Sequence, residues 1–265
     1  MIDSGARELI NGFGSCMVWF FHSNILNCRI PLLFGCGIFI GSFVNCISQR
    51  IFLNEDWIFS RSRCDFCKHQ LSMIDLIPVL SFVLSKGRCR YCRHKISIRY
   101  PLTELLTGIL FIIVYLHHPY FDNILIRDLV LVCILLGLSL VDLGSFLIPN
   151  GFILTGIINW LVSLCFVSDR YHYFLNRIIG GMMLAGFVWL LMIIMDHMLQ
   201  KESMGKGDIK LLFMIGLYSG VYLGLWVLVI ACLFGLISVL FTKKKVIPFG
   251  PCISSAAFIV LMIFQ

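Results

Sequence analysis

Charge is what this sequence has least of. Asp, Glu, Lys and Arg make up 13% of its 265 residues, about half of the ~25% usual in a soluble domain. An ordinary solvated globular surface is therefore excluded. Proline is sparse too, at 7 in the whole chain. No Pro-rich, Ser-rich or acidic run occurs, which excludes long flexible linkers and disordered tails, and no internal repeat is expected. The net charge of +7 needs no nucleic acid to explain it. What fills the chain instead is apolar: 59% of residues are hydrophobic and mean hydropathy is +0.94.

A helix that spans a bilayer needs about 20 mostly apolar residues. Eight segments qualify or come close: 30–51, 100–117, 128–148, 151–167, 177–199, 208–220, 221–241 and 249–265. The chain reads as an all-α polytopic membrane protein of about eight transmembrane helices, with a small cytoplasmic zinc-binding insertion between the first two. Residues 1–29 read as an interfacial segment, 30–51 as the first transmembrane helix, 52–99 as the cysteine-rich insertion and 100–265 as a transmembrane core. Arg50, the insertion, and the loops holding Lys201, Lys206, Lys210 and Lys243–Lys245 carry 16 Lys and Arg, against 5 in the alternate loops. Short basic loops stay in the cytoplasm, so that face is assigned to the basic side. Anionic membrane lipid is the natural partner of the basic run Lys243–Lys245 and of the basic insertion.

The insertion holds Cys64-x-x-Cys67 and Cys89-x-x-Cys92 with 21 residues between the pairs. Paired CxxC turns each aim two sulfurs at one point, which suits a structural tetrathiolate zinc. Free or redox-active thiols are the plainer alternative, and a cytoplasmic location disfavours stable disulfides.

Four acids in or near the apolar spans are singled out: Glu104, Asp142, Asp196 and Asp208. A carboxylate in a bilayer is expensive, so each is a candidate for function. Asp142 is six residues before Ile148, roughly 9 Å from the expected helix end at ~1.5 Å per residue. Asp208 opens its span after Gly205 and Gly207. Taken singly, Asp208 also fits a helix N-cap and Asp142 a buried interhelical hydrogen bond. Taken together, they suggest a shared acid/base pair, because two close carboxylates cannot easily both ionise. Asp196 is expected to reach the interface. Glu104 is expected to serve its helix dipole near the first turn.

These features resemble the type IV prepilin peptidases, also called leader peptidase/N-methyltransferases. The resemblance rests on Gly41-Ser42-Phe43-Val44-Asn45, Ile77-Pro78-Val79-Leu80-Ser81 and Arg99-Tyr100-Pro101-Leu102-Thr103-Glu104. Asp142 ahead of Ile148-Pro149, Gly205-Lys206-Gly207-Asp208 with Lys210, and Pro248-Phe249-Gly250-Pro251 complete it. Asn150 stands where many members have Asp. The resemblance implies an intramembrane aspartic endopeptidase of the bacterial inner membrane. Asp142 and Asp208 would be its catalytic dyad, and Gly205, Gly207 and Lys210 its substrate loop. It further implies prepilin or pseudopilin substrates, cut after a glycine, and N-methylation by S-adenosylmethionine. An ion-coupled transporter and a non-catalytic assembly scaffold are the competing classes, the first predicting inverted repeats and a midplane site.

Overall fold

The computed structural model describes residues 4–53, 62–64, 66–118, 120–167, 170–200, 205–242 and 247–264, with side chains from Cys28 onward except at 199 and 242. Lys201 and Lys243–Lys245 therefore lie outside the described residues. Among the described residues eight α-helices follow one another: α1 (Ser4–Phe52), α2 (Leu80–Leu84), α3 (Arg99–His117), α4 (Asn123–Ser145), α5 (Asn150–Leu164), α6 (Arg170–Leu199), α7 (Lys206–Thr242) and α8 (Gly250–Phe264). No strand occurs among the described residues. Among the described residues five stretches are long and apolar enough to cross a membrane: Cys28–Phe52 within α1, Arg99–His117, Asn123–Ser145, Arg170–Met198 and Lys206–Phe241, while α5 and α8 are shorter apolar helices.

α7 is the exception to one helix, one span. Its 37 residues would reach ~55 Å at ~1.5 Å per residue, far beyond the ~30 Å hydrocarbon core. It breaks at Gly220, whose φ of 72° and ψ of −169° leave the helical region. Both of its ends return to one end of the bundle. Gly207 packs on Ile148, Gly235 packs on Phe249, and the adjacent Gly250 packs on Asp142. α7 is thus a pair of antiparallel arms, and the break falls where the sequence placed the boundary between its sixth and seventh spans. Arg177 of α6 donates a hydrogen bond to the carbonyl of Tyr218 just before the break, satisfying a backbone acceptor that the interrupted helix leaves open.

Small residues let backbones touch where lipid offers no hydrophobic drive. A Cβ on Gly180 would lie 2.4 Å from the Gly220 carbonyl carbon, and one on Gly37 of α1 would lie 2.8 Å from the Gly108 Cα of α3. The larger core gathers α4 to α8 around Trp160, Leu211, Met214, Tyr218 and Ile253. A smaller one joins α1, α3 and α4 through Leu33, Phe111, Val114 and Leu125. α4 belongs to both and fixes one against the other. At the end of the bundle away from the insertion, buried Arg127 and Asp128 of α4 pair at 2.7 Å, with His118 at 3.5 Å from the second Asp128 oxygen.

The insertion contains a repeat not expected from the sequence. Arg63-Cys64-x-Phe66-Cys67-Lys68-His69 and Arg88-Cys89-x-Tyr91-Cys92-Arg93-His94 form two knuckles of the same build. In each, the first cysteine's N–H donates to the histidine carbonyl at 2.9 Å. Its carbonyl accepts from the basic residue, which turns at φ 58° (Lys68) or 60° (Arg93). The knuckles are stitched reciprocally: Phe66 stacks on His94 at 4.4 Å, and Tyr91 packs on His69 at 3.7 Å. Asp75 also ties the linker to the second knuckle, pairing with Arg90 at 3.3 Å. Burial pushes the Asp75 carboxyl up, but hydrogen bonds from Ser72 and Tyr91 and the Arg90 charge outweigh it and hold it below its ordinary 3.8.

Candidate active site

Asp142 sits one turn from the end of α4, closer than the sequence suggested, because the helix ends at Ser145. Phe146 closes it in the left-handed conformation (φ 55°) and donates its N–H to the Asp142 carbonyl at 3.0 Å. The turn then reaches Pro149, which caps α5. A proline there disfavours helical geometry at the residue before it, so α4 cannot run on into α5. The Asp142 side chain is buried at 4% exposure. Its Oδ2 accepts the N–H of Gly250 at 2.8 Å, at the N-terminus of α8, where free N–H groups and the helix dipole meet an anion.

Asp208 is the third residue of α7 rather than its N-cap, and its N–H donates to the Gly205 carbonyl at 3.1 Å. The two carboxylates lie close enough for their charges to interact. Gly205 flanks the Asp208 carboxylate, and a Cβ there would lie 3.3 Å from Oδ2. Gly207 faces Ile148 instead, where a Cβ would clash at 2.9 Å. Lys210 donates to Asn150 Oδ1 at 2.9 Å. Gly207 and Lys210 thus pin the start of α7 to the turn and the start of α5 that follow the Asp142 end of α4. The contact of α8 with Asp142, between segments far apart in the chain, is one that sequence reasoning missed.

Cys64, Cys67, Cys89 and Cys92 converge, with all four sulfurs within 4.8 Å of one another. A backbone hydrogen bond to the residue His94 lowers the Cys92 thiol, but desolvation and the crowding thiols Cys89, Cys67 and Cys64 push it up to about 11. Four thiols gathered this closely suit a divalent cation, which would hold them as thiolates. The donor set and its convergence fit zinc, and four sulfurs close a tetrahedron.

Glu104 departs from its expected role. It lies beyond the first turn of α3, buried at 7% exposure. Its Oε2 accepts the N–H of Val79 at 2.8 Å, and the Ser42 hydroxyl also donates to it. Nothing in the local sequence pointed to this reach from α3 back into the insertion. Asp196 is half-buried near the end of α6.

The family described as Bacterial Peptidase A24 N-terminal domain matches residues 36–118, and the Type IV leader peptidase family matches residues 129–240. The chain is similar to the prepilin leader peptidase/N-methyltransferase of Bacillus subtilis, 31% identical over 235 residues, covering 86% of this chain and 92% of that one. The protein of the same name from Aeromonas salmonicida is 31% identical over 266 residues, covering 87% and 89%. That of Myxococcus xanthus is 32% identical over 190 residues, covering 70% of this chain and 55% of its own length. No solved structure matches. With both halves matched, and the Bacillus subtilis and Aeromonas salmonicida relatives spanned nearly end to end, this membrane protein belongs to the type IV leader peptidase family.

Proposed function

We propose that the chain is an intramembrane aspartic endopeptidase whose dyad is Asp142 and Asp208, and that it removes basic leaders from prepilins or pseudopilins after a glycine. The observation that carries this is that two acids from distant parts of the sequence stand at one end of an apolar bundle, each near a helix terminus, with their segments held together by the Gly207–Ile148 and Lys210–Asn150 contacts. Two carboxylates in a low-dielectric site share a proton. One then takes a proton from water while the other, protonated, polarises the scissile carbonyl. Gly250 orients Asp142 by holding Oδ2, and the open flank at Gly205 admits an extended peptide beside Asp208. Gly207 and Lys210 brace the pair. A transporter would seat its carboxylates at the midplane between repeats; these two lie at the insertion end. The excess of Lys and Arg at that end supports a cytoplasmic active site in the bacterial inner membrane.

The relatives' names add N-methylation of the new N-terminus, which requires S-adenosylmethionine, and the four cysteines hold a structural zinc in this reading. Purified protein mixed with a prepilin tests the dyad. Asp142→Asn and Asp208→Asn should each lower cleavage on the order of 10³-fold or more, and the double variant should be no worse than either single one. Near-normal cleavage by either variant refutes the assignment.

A further inference from the structure

A cleft of about 490 Å³ opens between the knuckles and the adjoining ends of α1 and α3. It falls within the ~300–1,000 Å³ of small-molecule sites. Neither Asp142 nor Asp208 lines it, so the peptidase reading leaves it without a role. Three features of its wall stand out.

The first is Glu104. A carboxylate buried to 7% exposure ordinarily pairs with a cation, because desolvating an unpaired charge is costly. Glu104 has neutral partners, the Val79 N–H and the Ser42 hydroxyl, and no ion pair to it occurs among the described residues. The second is Val79. It has φ 59° and ψ −51°, and Leu80 N–H donates to the Pro78 carbonyl across it. This is a γ-turn of the rare positive-φ kind, on a β-branched residue that resists it. Such strain persists where the surroundings enforce it, and it gathers at ligand sites. Here the turn delivers one N–H to Glu104 and so fixes the carboxylate in the cleft. The third is the rest of the wall. Tyr100 and the stacked Phe66–His94 pair offer aromatic faces, and Arg88 and Lys95 offer cations.

We propose that this cleft is the S-adenosylmethionine site, with Glu104 facing the sulfonium. The inference rests on the methyltransferase reading above and deepens it. The match is chemical. The donor joins a permanent cation, a flat adenine and an amino-acid carboxylate, and the cleft offers a buried anion, aromatic faces and basic side chains for these in turn. S-adenosylmethionine supplies an electrophilic methyl group: the N–CH₃ bond to the pilin amine forms as the S–CH₃ bond breaks, sulfur keeps the electron pair, and the amine proton leaves to water. Glu104 acts as a positioning residue and an electrostatic wall. The site is distinct from the dyad, so cleavage does not depend on it.

The test uses the full chain in lipid nanodiscs, with binding of tritiated S-adenosylmethionine and competition by S-adenosylhomocysteine, which lacks the positive charge. Wild-type protein should bind both. Glu104→Gln should weaken S-adenosylmethionine about tenfold or more, the scale of one lost charge pairing, while changing S-adenosylhomocysteine little. Leader cleavage should persist, which certifies the fold. Ser85→Trp, which fills the cleft, should weaken both ligands together, and photo-crosslinked label should fall within residues 42–104. Equal loss of both ligands in Glu104→Gln, no loss of either, or label outside that span would overturn the site. Protein that methylates pilin with donor binding unchanged in Glu104→Gln fails the site and keeps the methyltransferase reading. Protein that cleaves leaders but neither binds donor nor methylates fails both.

Discussion

Gly250 is the most economical place to perturb the proposed dyad without touching an acid. A Cβ built on it would lie 2.7 Å from Asp142 Oδ2, 3.1 Å from its Cγ and 3.2 Å from its Cβ. Ordinary non-bonded contact is roughly 3.5 Å or more, so Gly250→Ala demands a relative shift of roughly 0.8 Å between α8 and the carboxylate. Neither partner has easy room. Asp142 is buried, and α8 is packed through Ile253, Ala256, Ala257 and Val260, all fully buried. A misplacement of ~1 Å in a catalytic group costs on the order of 10²-fold in rate, or about 2.7 kcal/mol of transition-state stabilisation. The loss should appear in kcat, since the proposed peptide-binding flank at Gly205 is untouched. The assay is initial-rate cleavage of a fluorogenic prepilin peptide, with Gly186→Ala as the matched control. At Gly186 the added Cβ meets nothing within 4 Å, and activity should stay within about twofold. A Gly250→Ala enzyme within about threefold of wild type would refute the idea that α8 sets the position of Asp142.

Purified protein should contain about one zinc per chain, and Cys89→Ser should lose it; metal-free, fully active enzyme would end the zinc assignment. Gly220→Ala should destabilise the fold by about 1–3 kcal/mol, the cost of forcing a side chain into a positive-φ, extended-ψ conformation that glycine alone adopts readily, read as a drop in Tm by differential scanning fluorimetry. An unchanged Tm would mean that α7 does not need its break. Burial, opposed by the Asp128 charge, lowers His118 below its ordinary 6.5 in the folded protein. The folded state then binds fewer protons there than the unfolded chain, so the stability due to His118 is full above pH 6.5 and falls as pH drops below it. His118→Gln should flatten that slope in Tm against pH, and an identical slope would show that another group carries it.

What the sequence disclosed and what it hid follow from range. Asp142 and Asp208 were conspicuous because any acid in a membrane-length apolar run is. The cysteines were conspicuous because CxxC is a local geometry. The break after Gly220 could be placed because a run too long for one span must divide near a turn former. Glu104 was misjudged because its partner is the backbone N–H of Val79, on a strained turn inside the insertion, and no periodicity encodes that. The same holds for Gly250, whose importance lies in a contact with α4 far back in the chain. The doubled knuckle escaped notice because its likeness is spread over residue classes, with Phe66 matching Tyr91 and Lys68 matching Arg93.

The break at Gly220 also bears on how the chain is made. A ribosome delivers residues 206–242 as one apolar run, and an insertion channel that took it as a single crossing would send everything after it to the other face. α8 would then enter with reversed polarity, and Gly250 would be stranded a bilayer away from Asp142. The two arms must instead enter together as a hairpin, with Arg177 of the preceding helix waiting to receive the carbonyl at the bend. During biosynthesis, then, one backbone torsion decides whether the enzyme acquires the second wall of its proposed catalytic site. Chains that insert the run straight should be recognisable as full-length, membrane-bound, inactive products with an inverted C-terminus.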